Sequence, residues 1–249
     1  MGSVEGKVAV ITGGNSGIGF AMAERFVRES ARVVIVGRRQ DAVDHAVAAL
    51  GDRAAGLVGD VGDPVTHDRV AAFVAERFGK ADIYVANAGA ITIEPSMAVS
   101  AESFDRQFDT NARAAFFGVQ AILPHLADGG AILLTSSIAT SKLLDGHAVY
   151  AATKAAVEAF ARAWAVELAP RRIRVNVLSP GPTDTPILGK LGLPADAVPA
   201  MEAETAARIP LGRLGEASDL ADAALFLASD RAAFITGVNL AVDGGIALT

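Results

Sequence analysis

Short runs of apolar and β-branched residues recur along the chain, separated by longer stretches in which apolar residues have helical spacing. The runs are continuously apolar rather than alternating, which is typical of strands buried on both faces of a sheet. They cover residues 8–12, 32–36, 54–59, 82–86, 131–136 and 173–179, and a last apolar stretch covers 237–245. The helical spacing predicts helices at 17–30, 39–50, 64–78, 101–127 and 150–169.

Regular alternation of strand and helix predicts a parallel sheet covered by helices on both faces. An eight-fold barrel and an open doubly wound sheet both show such alternation. The barrel needs eight similar units, whereas this chain has about seven predicted strands and no helix after the last one. No linker, charge block or internal repeat interrupts the pattern, so we predict a single α/β domain over residues 1–249 with an open doubly wound sheet. Its ligand is expected at the carboxyl ends of the strands.

Composition excludes several kinds of site and partner. The chain has 249 residues, of which 51% are hydrophobic and 20% charged, as expected for a folded domain with a large core. It has no Cys, which excludes thiol catalysis, Cys-ligated metals and disulfides. Its four His lack metal-ligand spacing, and its net charge of −6 argues against nucleic acid as a partner.

The N-terminal residues do not predict a targeting segment. Residues 1–6 lead directly into the first apolar run, without the basic segment and cleavage site of a secretory signal. No apolar run approaches the roughly 18 residues that are needed to cross a bilayer. We therefore expect a soluble, cytoplasmic protein without a membrane partner.

A glycine-rich loop, TGGNSGIG, covers residues 12–19, between the first predicted strand and the first predicted helix. Gly13 suits the turn, Gly17 lets a ligand approach the backbone, and Gly19 permits close packing of the helix. The free N–H groups at the start of a helix favour a diphosphate. The spacing differs from the commoner dinucleotide fingerprint, and the Lys-Ser/Thr pair of an ATPase P-loop is absent. The loop therefore favours a dinucleotide over ATP hydrolysis.

The end of the second predicted strand indicates which dinucleotide is bound. A carboxylate there would accept hydrogen bonds from the adenosine ribose of NAD and repel the extra phosphate of NADP. The chain instead has Arg38 and Arg39, and cations at a helix start suggest that an anion is bound. We expect a preference for NADP(H), carried mainly by Arg38, with NAD(H) as the second candidate. Asp60 and Val61 are candidates for the adenine edge, although their sequence suits a turn almost equally well.

Tyr150 and Lys154 are four residues apart at the start of a predicted helix, so both lie on one face. A free Tyr has a pKa of about 10, and a neighbouring ammonium favours the phenolate, so we expect Lys154 to lower the pKa of Tyr150. Ser137 follows a buried strand, where its hydroxyl suits a hydrogen bond to a carbonyl or alkoxide oxygen. Ser136 is the alternative for that role.

The order and spacing of these motifs resemble the short-chain dehydrogenase/reductase family over essentially the whole chain. The resemblance rests on the loop 12–19, Asp60, the ANAG segment 86–89, Asn111, Ser137, the YAATK motif 150–154 and the Pro-Gly turn 180–181. The chain departs from the family pattern at Ala86, where the family usually has Asn, and at Thr183, which is often aliphatic in relatives. The resemblance implies a Rossmann-like fold and reversible hydride transfer between a nicotinamide and a ketone or secondary alcohol.

The resemblance also implies roles for individual residues. Its catalytic tetrad is Asn111, Ser137, Tyr150 and Lys154, in which Asn111 holds a water that relays protons to Lys154. Tyr150 exchanges the proton with the substrate, and Lys154 also binds the nicotinamide ribose. The expected cofactor-binding residues are Gly13, Asn15, Ser16, Gly17, Ile18, Gly19, Arg38, Arg39, Asp60, Val61, Asn87, Ala88, Gly89, Tyr150, Lys154, Pro180, Gly181, Thr183 and Thr185.

The substrate and the assembly are less well defined by the sequence. Loops 90–98 and 138–148 and an apolar segment at 186–209 are expected to surround the reacting carbon. The apolar segment suits a lid over a hydrophobic small-molecule carbonyl or alcohol, or equally a contact with a second subunit. The candidate substrate contacts are Ile138, Leu144 and Leu188. The helix at 150–169 is apolar over most of its circumference, and the family resemblance implies a homotetramer.

Two other functions remain as alternatives. The first is a 3-oxoacyl-[acyl-carrier-protein] reductase, which would favour basic residues around the mouth of the site. Arg113, Arg171 and Arg172 are too scattered along the chain to support it. The second is a dinucleotide sensor or interaction protein without catalysis, which would not require the acid–base group that the tetrad provides.

Overall fold

A parallel sheet of seven strands forms the centre of the computed structural model, which describes residues 3–142, 144–186 and 197–249. The strand order is β3-β2-β1-β4-β5-β6-β9, and the two short strands β7 and β8 pair only with each other. The strands are β1 (Val8–Thr12), β2 (Arg32–Gly37), β3 (Ala54–Val58), β4 (Ala81–Ala86), β5 (Leu126–Thr135), β6 (Arg174–Pro180), β7 (Thr183–Asp184), β8 (Gly215–Glu216) and β9 (Asn239–Val242).

Helices cover both faces of this sheet. They are α1 (Gly17–Arg28), α2 (Gln40–Leu50), α3 (Pro64–Phe78), α4 (Ala101–Phe108), α5 (Ala114–Ile122), α6 (Ala148–Glu167), α7 (Val198–Arg208) and α8 (Ala217–Ala228). Side chains alternate between the faces of β1, so Val10 packs in a core with α3, α5 and α6, and Ile11 in a core with α1, α2 and α8. The predicted Rossmann-like, doubly wound α/β domain is therefore confirmed. In the part of the chain described, no helix is long and apolar enough to cross a membrane.

The strand order reverses beside β1, which pairs with β2 on one side and with β4 on the other. The chain leaves β1 and β4 at their carboxyl ends and turns toward opposite faces of the sheet. This divergence opens a crevice between the two strand ends, where doubly wound sheets bind their ligands. The fold thus places the Gly-rich loop and the ANAG segment side by side.

The prediction of one continuous helix at 101–127 is wrong in its extent. It is divided into α4, a π-helical turn at Asp109–Arg113 and α5, and β5 begins already at Leu126. The strand contains an Asp-Gly-Gly sequence that suggests a turn, and its pairing with β4 shifts register between Ala81 and Ile83. Tertiary pairing with β4 therefore extends the strand beyond the apolar run that predicts it.

Helix α8 is absent from the helices predicted above, although it covers the same face of the sheet as α1. A capping box formed by Glu216 and Asp219 begins it. Its buried residues are Leu220, Ala221, Ala224, Leu225, Leu227 and Ala228. The apolar residues are so frequent that their helical spacing is hard to distinguish from a buried strand by periodicity.

Arg174, at the start of β6, ties the end of α8 to the sheet. Its buried guanidinium donates hydrogen bonds to the carbonyls of Leu227, Ala228 and Ser229, at 2.5, 3.3 and 3.1 Å respectively. The last carbonyls of a helix lack partners within the helix, and a cation there also stabilises the negative end of the helix dipole. Burial lowers the pKa of Arg174, and nearby Asp230 opposes this shift.

We predict that Arg174→Met lowers the free energy of unfolding by roughly 2–4 kcal/mol, because it leaves buried carbonyls without donors. Urea unfolding followed by circular dichroism measures this loss. Arg162→Met, which changes an exposed Arg on α6, is the control and should have an effect below about 0.5 kcal/mol. Equal losses in the two variants would show that Arg174 does not secure α8.

Candidate active site

The Gly-rich loop after β1 is shaped by contacts that leave no space for side chains. Gly13 has a φ of +67°, and a Cβ atom there would lie 3.0 Å from the Cα atom of Ala88. A Cβ atom at Gly19 would lie 2.3 Å from the carbonyl oxygen of Gly13. Any larger residue at Gly13 or Gly19 would therefore push the loop away from the end of β4.

The start of α1 is suited to an anion. Ser16 is the N-cap residue, yet in the described structure its side chain makes no capping hydrogen bond and the first turn contains no acidic residue. The first N–H groups and the positive end of the helix dipole are thus left for a ligand. Gly17 has a φ of +53°, and a Cβ atom there would lie 3.5 Å from the Cβ atom of Thr185. These groups fit the diphosphate of a dinucleotide between α1 and Thr185.

Hydrogen bonds join the carboxyl ends of β1, β4 and β5. The Thr12 hydroxyl accepts from the backbone N–H groups of Asn87 and Ala88, at 3.0 and 3.1 Å. The Asn87 side chain donates to the Thr12 carbonyl at 3.1 Å and accepts from the Thr135 hydroxyl at 3.3 Å. This network holds the ANAG turn against the Gly-rich loop and does not require the family's usual Asn at Ala86.

Tyr150, Lys154 and Ser137 come together beside this network. Lys154 is only 3% exposed, and its Nζ donates to the Thr135 carbonyl at 2.8 Å. The same Nζ lies 5.8 Å from the centre of the Tyr150 ring. Ser137 follows β5 and caps a short 3-10 helix, with its Oγ accepting from the N–H of Ala139 at 3.2 Å. Helix α6 therefore supplies Tyr150 and Lys154, and the segment after β5 supplies Ser137.

The pKa values of this pair are governed by burial. Burial lowers the pKa of Lys154 to about 8. Burial also raises the pKa of Tyr150, while hydrogen bonding with Ser137 opposes that shift. We expected Lys154 to lower the pKa of Tyr150, but this pKa is raised, because burial is the larger effect. At neutral pH the phenol keeps its proton, which is the form that donates a proton to a carbonyl oxygen.

Asn111 lies in the π-helical turn between α4 and α5, a kind of helix irregularity that is frequent at functional sites. Its Oδ1 accepts from the N–H of Ala90, and its Nδ2 donates to the Ala90 carbonyl and the Thr153 hydroxyl, all within 2.8–2.9 Å. A Cβ atom at Gly89 would lie 3.3 Å from both Asn111 Oδ1 and Lys154 Nζ. Asn111 thus secures the segment after the ANAG turn and lies behind the cleft rather than on its wall.

The structure distinguishes between the two candidate serines. The Ser136 hydroxyl is turned away and donates to the carboxylate of Glu158 at 2.8 Å. Ser137, which lines the cleft with Tyr150, is the serine that lowers the pKa of the phenol. Ser137 therefore has the position that suits a contact with the substrate oxygen.

Arg38 and Arg39 lie at the other end of the cleft, after β2. Both are exposed, and neither forms an ion pair with a residue in the described ranges. Val61 is buried beside them, whereas Asp60 accepts a hydrogen bond from the N–H of Gly62 at 2.9 Å and does not line the cleft. Asp60 therefore makes the contact expected of a turn residue.

The cleft has a volume of about 600 Å³ and brings most of the expected site residues together. Those that line it are Gly13, Asn15, Ser16, Gly17, Ile18, Gly19, Arg38, Arg39, Val61, Asn87, Ala88, Gly89, Ser137, Tyr150, Lys154, Pro180, Gly181, Thr183 and Thr185. Lining residues that the sequence analysis did not assign to the site are Val36, Gly37, Gly59, Thr110, Thr135 and Pro182. Ser136, the alternative serine, also lines the cleft, as do Ala90 and Pro186 from two of the segments expected around the reacting carbon. Several of the unassigned residues end strands, so the rule that ligands bind at carboxyl ends would have found Val36 and Thr135.

The candidate substrate contacts have different positions. Ile138 is 5% exposed and packs against Ile209 and Ile246, so it supports the wall of the site instead of lining the cleft. Leu144 is exposed on its loop and lies outside the cleft. Leu188 lies outside the described residues, as do residues 187–196 of the predicted lid, whereas most of the remainder forms α7.

We predict that Lys154→Met stabilises the fold while it removes activity. Between its folded pKa of about 8 and its ordinary pKa of 10.5, Lys154 binds fewer protons in the folded state than in the unfolded state. Its burial therefore destabilises the protein most at pH values below about 8, by roughly 3 kcal/mol before the bond to Thr135 is counted, and the penalty falls as the pH rises.

The measurement is urea unfolding at about pH 7 and about pH 10. Lys154→Met should be more stable than the native chain at the lower pH, with a smaller difference at the higher pH. The control is Lys80→Met, at an exposed position, which should show neither effect. Destabilisation of Lys154→Met at both pH values would contradict this account.

Comparison with known proteins finds similarity over nearly the whole chain. Residues 13–247 match the model of a family described as enoyl-(acyl carrier protein) reductase. The oxidoreductase asL5 of Sarocladium schorii is 40% identical over 248 residues, which cover 97% of this chain and 96% of that protein.

Two solved structures from Brucella melitensis superpose closely. A short-chain dehydrogenase/reductase described as glucose/ribitol dehydrogenase has a TM-score of 0.92 at 33% identity, covering 98% of both chains. A 3-ketoacyl-(acyl-carrier-protein) reductase complexed with NADH has a TM-score of 0.90 at 36% identity, covering 98% of this chain and 99% of that chain. Since similarity at this level extends through sequence and fold together, the chain belongs to the short-chain dehydrogenase/reductase family of nicotinamide-dependent oxidoreductases that act on CH–OH groups.

Proposed function

We propose that the protein is an NADP(H)-dependent oxidoreductase that transfers a hydride between nicotinamide and a ketone or secondary alcohol, with an apolar small molecule as its substrate. The observation that carries this proposal is one cleft that joins a cation suited to the extra phosphate of NADP to a group of residues suited to proton transfer. Arg38 lies at one end, the Gly-rich loop lies along the wall, and Ser137, Tyr150 and Lys154 lie at the other end.

The residues present fit this dinucleotide along its length. The start of α1 suits the diphosphate, and the two arginines after β2 suit the extra phosphate of NADP. Thr183 and Thr185 lie on the cleft wall and suit the nicotinamide amide. When bound, the cofactor supplies the hydride in reduction or accepts it in oxidation.

The protein residues manage the proton and the position of the substrate. In reduction, the Tyr150 phenol donates its proton to the carbonyl oxygen, and the Ser137 hydroxyl donates a hydrogen bond to the same oxygen. In oxidation, the Tyr150 phenolate accepts the proton of the alcohol. Lys154 binds the nicotinamide ribose, and its charge favours that phenolate against the larger effect of burial. Asn111 lies behind the cleft, and the family resemblance assigns to it the water through which protons reach Lys154. Burial of the phenol explains why it keeps its proton until the substrate arrives.

The structure gives the other two functions less support. Arg171 and Arg172 precede β6 at the amino edge of the sheet, opposite the cleft, and Arg171 is engaged by Asp128 at 2.8 Å. They therefore provide no basic surface for an acyl carrier protein at the mouth of the site. A sensor without catalysis would not need the proton donor Tyr150 beside Lys154 in the cleft.

The homotetramer and the cytoplasmic location are part of the same proposal. An aromatic cluster on α5 and α6 supports the assembly: Phe116 lies 5.3 Å from Phe160, which lies 5.5 Å from Trp164, measured between ring centres. These rings are half-buried, and Val166 on the same helix is 75% exposed. A second subunit packed on this surface would remove it from water.

Tyr150→Phe is expected to reduce kcat for ketone reduction by about 10²- to 10⁴-fold, because it removes the acid but keeps the ring. The dissociation constant of NADPH, measured by fluorescence titration, should change little. Tyr84→Phe is the matched control, since Tyr84 is the only other tyrosine and is buried away from the cleft. Retained activity in Tyr150→Phe would remove Tyr150 from this role.

Arg38→Asp is expected to shift preference from NADP toward NAD. The substitution replaces a cation that pairs with the extra phosphate by a carboxylate that repels it and accepts from ribose hydroxyls. We expect the ratio of kcat/KM for NADPH to that for NADH to fall by at least about 10-fold. Arg69→Asp, at an exposed position outside the cleft, is the control and should leave the ratio unchanged. An unchanged ratio in Arg38→Asp would refute the NADP assignment.

A further inference from the structure

The carboxylate of Glu158 accepts hydrogen bonds from residues before and after Ser137 in the chain. Glu158 lies on α6, one turn after Lys154, and its Oε1 accepts from the hydroxyls of Ser136 at 2.8 Å and Thr140 at 2.7 Å. Ser136 precedes Ser137, and Thr140 ends the short 3-10 helix that Ser137 caps. A single carboxylate oxygen therefore connects the segment around Ser137 to the helix that carries Tyr150 and Lys154.

Proton counting shows that Glu158 selects one of two hydrogen-bond arrangements. The Thr140 hydroxyl lies 2.7 Å from the carboxylate and 2.9 Å from the carbonyl oxygen of Ser137, but it has a single proton to donate. The Ser136 hydroxyl likewise lies 2.8 Å from the carboxylate and 3.4 Å from the carbonyl of Lys154. Hydrogen bonds to an ionised acceptor are the stronger ones, so both hydroxyls are directed to Glu158.

Without the carboxylate, each hydroxyl can donate to its backbone carbonyl instead. The Thr140 hydroxyl would then bind the carbonyl of Ser137 itself and change the geometry of the residue that must meet the substrate oxygen. Because both donors keep an acceptor in either arrangement, the change affects the position of Ser137 more than it affects folding.

Among the residues that the structure describes, Glu158 is not one of those that can contact the substrate or the cofactor in the cleft. It does not line the cleft, and it forms no ion pair within the described ranges. We propose that Glu158 is a positioning residue, which acts through Ser136 and Thr140 to hold the Ser137 hydroxyl in place for proton transfer at Tyr150. This inference rests on the proposed function and adds a residue to it.

Steady-state kinetics of ketone reduction by NADPH provide the first test. Glu158→Ala should lower kcat by roughly 10- to 100-fold, because a small displacement of a positioning group is costly, while NADPH affinity stays unchanged. Glu158→Gln keeps an acceptor oxygen and should remain within roughly fivefold of the native chain. Glu167→Ala, an exposed Glu at the end of α6, is the matched control and should behave as the native chain does.

A titration of Tyr150 provides a second test that needs no substrate. The chain has two tyrosines, so Tyr84→Phe leaves Tyr150 as the only phenol in the ultraviolet absorbance. Displacement of Ser137 should raise the pKa of Tyr150 in Glu158→Ala, because interaction with Ser137 lowers that pKa in the native chain. Loss of negative charge alone would favour the phenolate and lower that pKa, so the direction separates positioning from electrostatics. The other titratable neighbours of the phenol, Lys154 and His147, are the same in all variants.

A double variant keeps the inference testable if Glu158→Ala does not fold. Ser136→Ala with Thr140→Val removes both donors while Glu158 stays, and it should reproduce the loss of kcat and the upward pKa shift. If ketones are reduced but kcat of Glu158→Ala equals that of Glu167→Ala and the pKa does not rise, the positioning role is overturned and the proposed function stands. If no ketone or alcohol reacts with the native chain, the proposed function fails, and the direction of the titration still decides whether Glu158 positions Ser137.

Discussion

The candidate active site depends on the buried ammonium of Lys154. Its hydrogen bond to the Thr135 carbonyl joins α6 to the carboxyl end of β5, and thereby brings Tyr150 to the segment that carries Ser137. A charge in this position is unfavourable, since its pKa falls to about 8 in the fold. Desolvation also raises the pKa of Tyr150, so the cleft holds a protonated phenol next to a cation.

Around this pair, the carboxyl ends of three strands are connected by side chains that take no part in the chemistry. Thr12 connects β1 to the turn after β4, and Thr135 connects that turn to β5. The Gly-rich loop can then lie directly against β4, because Gly13 and Gly19 have no side chains to separate them. The cofactor cleft is therefore a consequence of close backbone approach at the point where the sheet reverses its order.

Features of the site that have a local cause in the sequence were predictable, and features that depend on tertiary contacts were not. The Gly-rich loop, Tyr150 and Lys154 were predictable because their spacing has a local cause in a turn and in one face of a helix. The choice of Ser137 over Ser136 came from the family resemblance, because its physical cause is a contact with Glu158, which is distant in sequence. Tertiary contacts likewise decide the position of Ile138, whose side chain turns to Ile209 and Ile246 rather than to the cleft, and the extent of β5, which is extended by pairing with β4.

The sequence by itself determined the α/β architecture, the position of the Gly-rich loop and the placement of Tyr150 and Lys154 on one helix face, because each depends on periodicity or spacing within one or two neighbouring elements. The tertiary structure alone decided the direction in which the pKa of Tyr150 is shifted, the partners of Asn111 and the network behind Ser137. These properties arise from burial and from contacts between residues far apart in the chain, and such contacts exist only once the helices have packed on the sheet.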